Sequence, residues 1–118
     1  MRGVWLMWIK GSKYGNRKTE VDGIKFDSKK EAERYCELKM MQRAGMIKNL
    51  ELQKRFVLIP ETDKYRACHY VADFAYMTYN GKEVIEDVKG YKSGQAYQLF
   101  ILKKKLFYAK YGIEITEI

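Results

Sequence analysis

The chain has 118 residues, 47% of them hydrophobic and 14% aromatic, which is enough for one packed core and excludes a disordered or repeat protein. Its 23 Lys and Arg against 15 Asp and Glu give a net charge of +8, an excess that attracts polyanions, nucleic acid first among them. Two cysteines, Cys36 and Cys68, form neither a disulfide framework nor a CxxC metal pair, so a reducing, cytoplasmic setting is expected.

Residues 1–18 read as a basic N-terminal arm with five Lys and Arg and no acid. Its apolar start, Val4 to Ile9, is too short to span a bilayer and precedes no small-residue cleavage site, so it reads as an arm that packs on the domain or on a partner. No membrane partner is expected. Lys10, Lys13, Arg17 and Lys18, with Tyr14 among them, suit the tracking of a DNA phosphate backbone. Residues 19–118 read as one domain.

That domain opens with Asp22-Gly23 between apolar residues, the signal of a tight hairpin turn. Ser28 then starts a helix to about Ala44, with Glu31 as capping-box partner and Gly45 as its stop. Leu50 to Ile59 reads as a strand ended by Pro60, and His69–Tyr79 and Lys82–Lys89 as two more, joined through Asn80-Gly81. A long helix follows Gly94 to about Tyr111, and the alternating Ile113–Ile118 reads as a last strand. The order after the arm and small hairpin is α-β-β-β-α-β.

Acidic residues are disfavoured inside half-buried apolar strands, yet Asp73 sits in one and Asp87-Val88-Lys89 ends the next. Their meeting depends on register. A two-residue Asn80-Gly81 turn pairs residue 73 with 88 and puts the two aspartates on opposite faces. A three-residue loop with Gly81 left-handed and a bulge pairs Thr78 with Lys82, and hence Asp73 with Asp87. The bulged register is the one predicted. Two carboxylates there suit a hard divalent cation, Mg²⁺ with Mn²⁺ as substitute, that retains waters for a phosphate and a nucleophile. Lys89 then orients or deprotonates an attacking water and offsets phosphate charge. Glu31, which on a helical wheel lies between Tyr35 and Leu38, is the plausible third acid. Gln53 lies where it can hydrogen-bond near the site.

Asp73, Asp87-Val88-Lys89 and a preceding helix bearing Glu31, in that element order, resemble the PD-(D/E)XK nuclease superfamily. Asp22 to Tyr35, with Leu52-Gln53 and Tyr70 to Phe74, look more closely like small phage-encoded endonucleases and Holliday-junction-resolvase-like proteins of this class, over roughly residues 13–118. The chain departs from the motif in having Ala72 where Pro is usual and Asp87 where Glu is commoner. The resemblance implies an α/β, restriction-endonuclease-like αβββαβ core, a central mixed sheet flanked by helices. It further implies Asp73 and Asp87 as metal ligands, Lys89 as catalytic lysine, Glu31 as helix acid, and DNA as substrate in phage recombination or DNA processing.

Each feature also has a plainer account. Asp87 with Lys89 can be a solvated strand face, and the spacing of Glu31 from Ser28 is fully explained by a capping box. Lys103, Lys104 and Lys105 are consecutive on a helix, point three ways and read as solvated surface, whereas Lys92, just past Lys89-Gly90, is a better DNA contact. The last helix is apolar on most sides, more than one small sheet covers, which points to a homodimer. A chain this short leaves little room for a sequence-reading domain, so a structure-selective DNA endonuclease acting on branched DNA is the expected activity. Its rivals are a non-catalytic basic DNA-binding or assembly protein on the same fold and a sequence-specific restriction-type or nicking enzyme.

Overall fold

A computed structural model of the chain describes residues 18–118, so Lys10, Lys13 and Arg17 of the basic arm lie outside the described residues. The chain forms two compact units, one ending at Met46 and the other spanning Ile47–Ile118.

In the first unit, β1 (Thr19–Val21) and β2 (Ile24–Phe26) pair antiparallel with Val21 opposite Ile24. Asp22 and Gly23 both have positive φ, 54° and 78°, as a two-residue hairpin turn of the primed type requires. Helix α1 (Lys29–Arg43) starts at Ser28, whose extended backbone and Oγ, accepting from the Glu31 N–H at 3.1 Å, make an N-cap. At its other end Gly45, at φ 78°, and Met46 return amide bonds to the last turn. Tyr35 of α1 stacks obliquely on Phe26 at 5.1 Å and donates its hydroxyl to Asp22 at 3.0 Å, which ties the helix to the hairpin turn.

The second unit is a four-stranded mixed sheet of order β3-β4-β5-β6, built from β3 (Ile47–Ile59), β4 (Cys68–Thr78), β5 (Glu83–Asp87) and β6 (Thr116–Glu117). The first three strands run antiparallel and β6 joins β5 in parallel after the crossover helix α2 (Gly94–Tyr111). The chain is thus an α/β protein with a mixed sheet and two helices, in the order read from the sequence. Helix α2 seats Phe100 and Phe107 among Leu58, Tyr70, Ala72, Ala75, Ile85 and Ile115, one buried cluster in which Phe56 meets Phe107 edge-on at 4.9 Å. Gly112, left-handed at φ 71°, ends α2 by donating its N–H to the Tyr108 carbonyl.

Three strand limits differ from the sequence pattern, the first being β5, read as Lys82–Lys89, which ends at Asp87 and leaves Lys89 just beyond the strand. Strand β3 begins at Ile47, before Leu50, because the ladder to β4 continues across a bulge at Lys48–Glu51 in which Asn49 has φ 60°. Regular pairing of the last strand covers only Thr116–Glu117, although Ile115 is buried and Ile118 still bonds β5 through its backbone. Both cysteines are free thiols. Among the described residues no helix is long and apolar enough to cross a membrane.

Candidate active site

The β4–β5 turn decides the site. Gly81, at φ 88°, donates its N–H to the Thr78 carbonyl, and the Thr78 N–H donates to the Lys82 carbonyl at 2.8 Å. That closes a three-residue loop and sets Ala75 opposite Ile85 and Phe74 opposite Glu86. One step further in this register Asp73 faces Asp87. The bulged pairing predicted from the sequence is therefore the one present. The Val88 N–H ties the two strand ends by donating to Asp73 Oδ2 at 2.8 Å.

Asp73 itself sits at an irregularity. Tyr70, Ala72 and Ala75 all belong to the core cluster under α2, a set that strict alternation along β4 would divide between two faces. The strand changes phase between Ala72 and Ala75, at Asp73. Opposite it on β3, Gln53 has a left-handed backbone, φ 51°, unusual for a residue other than glycine, and donates Nε2 to Asp73 Oδ1 at 3.2 Å. Both oxygens of Asp73 therefore accept a hydrogen bond within the sheet. Burial nonetheless pushes its carboxyl up to about 6, with the Asp87 charge adding to the rise and the bonds from Val88 and Gln53 opposing it.

Asp87 is 6% exposed and doubly held. The Tyr70 hydroxyl donates to Oδ2 at 2.7 Å, and Lys89 Nζ pairs with Oδ1 at 3.0 Å. Burial first, then Asp87, raises the Tyr70 hydroxyl far above the ordinary tyrosine range, so it serves as a fixed donor at neutral pH. The Lys89 ammonium also lies 3.7 Å from the centroid of the Phe100 ring on α2, a cation–π contact that fixes the lysine against the core. The backbone on either side of Asp87 is pinned by the end of the chain: Ile118 donates its N–H to the Asp87 carbonyl at 2.9 Å, and Lys89 donates to the Ile118 carbonyl at 3.2 Å. Tyr70, Asp87, Lys89, Leu99, Phe100 and Lys103 line a cleft of about 270 Å³ open to solvent.

A model-based family profile described as "Protein of unknown function (DUF1064)" matches residues 11–116. The chain belongs to the DUF1064 family. No curated protein and no solved structure matches it.

The DUF1064 sheet unit thus brings together Asp73, Asp87, Lys89 and Gln53. Glu31 belongs to the N-terminal unit, where it is buried at 8% exposure in the first turn of α1. Lys18 is exposed in that same unit. Lys92 follows β5 in an exposed loop, its side chain 59% exposed and 3.9 Å from Glu117. Glu86, on the opposite side of β5 from Asp87, is buried and accepts a hydrogen bond from the Tyr76 hydroxyl. Three residues of the site escape the motif reading: Tyr70, Phe100 and Lys103. A tyrosine inside a buried strand carries one usable signal, since its hydroxyl needs a partner there. Phe100 and Lys103 carry none, because contact across a fold between α2 and β5 leaves no local pattern.

Among the described residues no three His, Cys, Asp and Glu side chains gather at one point. The Asp73 and Asp87 pair fits a hard ion. Each carboxylate oxygen accepts a bond and keeps lone-pair capacity for an ion, and the rise of Asp73 comes first from burial, with the Asp87 charge adding to it.

Proposed function

We propose that this protein is a metal-dependent DNA endonuclease of the PD-(D/E)XK type, selective for branched DNA and acting as a homodimer. The observation that carries the reading is the bulged β4–β5 register, whose next step brings Asp73 opposite Asp87, with Asp87 and Lys89 lining a cleft. Convergent titratable groups with one strongly displaced acid, in a concave site, are the usual mark of chemistry rather than of packing. The net charge of +8 supports a polyanionic substrate.

Asp73 and Asp87 would hold Mg²⁺ or Mn²⁺, with waters completing the shell. When bound, such a cation supplies Lewis-acid polarisation of a phosphate and acidifies a water. The chain's own groups do the positioning. Tyr70 holds Asp87, while Gln53 and the Val88 amide hold Asp73, so neither carboxylate must reorganise during the reaction. Lys89, fixed by Asp87 and Phe100, orients the attacking water and offsets negative charge as the new phosphorus–oxygen bond forms and the ester bond to the leaving strand breaks. Lys92, in the loop after β5, holds a flanking phosphate, and the basic arm adds positive charge that favours a polyanion.

The deciding experiment cleaves a labelled four-way junction and the matching linear duplex with wild type and Asp87→Asn, in Mg²⁺, Mn²⁺ or EDTA. We expect metal-dependent cutting, faster on the junction, and a loss of at least a hundredfold in the variant. Binding without cutting under every metal condition would leave a non-catalytic DNA-binding protein in its place, and discrete cuts on the linear duplex a sequence-specific enzyme.

A further inference from the structure

The three consecutive lysines of α2 have three different fates. Lys104 is consumed by ion pairs with Glu117 at 2.8 Å and Glu114 at 3.4 Å. Lys105 is turned to a separate cleft with Ile101, Tyr108 and Glu114. Lys103 lines the same cleft as Asp87 and Lys89, half-buried, and among the described residues no carboxylate pairs with it. A lysine that buries its stem and keeps its charged head at the opening of a cleft, with no carboxylate to pair it, is open to an anionic ligand. Lys89 is held by Asp87, so Lys103 is the cleft cation left without a carboxylate partner among the described residues.

Its placement says where that ligand lies. Lys103 stands three residues along α2 from Phe100, the ring on which Lys89 rests, about 4.5 Å further along the helix axis. Half-exposed Leu99 and Val71 line the same cleft, apolar surface suited to a deoxyribose rather than to charge. We propose that Lys103 holds the phosphate adjacent to the scissile one, so that the cleft takes a polynucleotide strand across two consecutive phosphates, not a mononucleotide or a phosphomonoester. This rests on the endonuclease reading for the position of the scissile phosphate. It moves Lys103 from solvated helix surface, its plainest account in the sequence, into the substrate-binding set.

The test titrates a fluorescein-labelled DNA duplex in EDTA at several KCl concentrations with wild type, Lys103→Ala, Lys103→Arg and Lys105→Ala. Cleavage by the same four proteins is then followed in Mn²⁺. Lys103→Ala should weaken binding about tenfold and reduce the slope of log affinity against log salt by about 1, Lys103→Arg should restore most of both, and Lys105→Ala should change affinity less than about twofold. In cleavage, Lys103→Ala should raise KM about tenfold and leave kcat within about threefold. The assignment is overturned if Lys103→Ala behaves as Lys105→Ala does, or if its loss falls on kcat, which would put Lys103 at the reacting phosphate. If no protein cuts but the slope still falls with Lys103→Ala, the endonuclease reading fails while Lys103 stands as a DNA phosphate contact. If wild type binds no DNA, both fail.

Discussion

Asp73 is half-buried on β4 near a second acid, and this sets an opposition between stability and the proposed function at one side chain. An unfolded aspartate loses its proton near pH 3.9, about two units below the folded value. Across that window the folded protein binds the extra proton, so its stability falls as pH rises from about 4 to about 6 and is level above. Asp73→Asn removes the titration. In EDTA at pH 7.5 the variant should be more stable than wild type by about 2 kcal/mol, and at pH 4 the gain should vanish, as read from urea unfolding. Added Mn²⁺ should raise the melting temperature of wild type only, because an ion that binds the folded state alone stabilises it by mass action. A variant no more stable at pH 7.5 would show that Val88 and Gln53 already satisfy the charge.

At the scale of elements, the site depends on a turn. Gly81 adopts φ 88°, a conformation a β-branched side chain resists, so Gly81→Val should cost about 2 kcal/mol in denaturant and Gly81→Asn distinctly less. Equal losses would mean that the loop, not its handedness, is the sensitive part. This turn was legible in the sequence because Asn-Gly and the alternation on both sides allow only two registers, and only one of them unites the acids. The hairpin at Asp22-Gly23, the Ser28 cap and the Gly112 stop were legible for similar local reasons. The phase change at Asp73 was not. It arises where Gln53 turns left-handed, and glutamine announces no such conformation, while Asn49, which tolerates it, gives only a faint hint of the bulge in β3. Tyr70, Phe100 and Lys103 reach the cleft through tertiary packing, to which periodicity is blind.

For the whole molecule, α2 buries Phe100 and Phe107 yet leaves Leu102 54% exposed away from the cleft, the surface on which the proposed dimer rests. Sedimentation equilibrium should give a mass near twice 14.0 kDa for wild type and near 14.0 kDa for Leu102→Glu; a monomeric wild type at every concentration removes the dimer. Charge acts on the same scale: for the proposed DNA substrate, each lysine of the +8 excess that contacts a phosphate steepens the fall of affinity with salt. The backbone bonds that join Ile118 to Asp87 and Lys89 have a dynamic consequence. A two-residue edge strand frays on its own, at a free energy below that of global unfolding. Each fraying event frees the carbonyl of Asp87 and the amide of Lys89 together, so Lys89 inherits the opening rate of β6. In hydrogen–deuterium exchange the amides of Lys89 and Ile118 should share one protection factor, lower than those of Ala75 and Ile85 in the sheet interior.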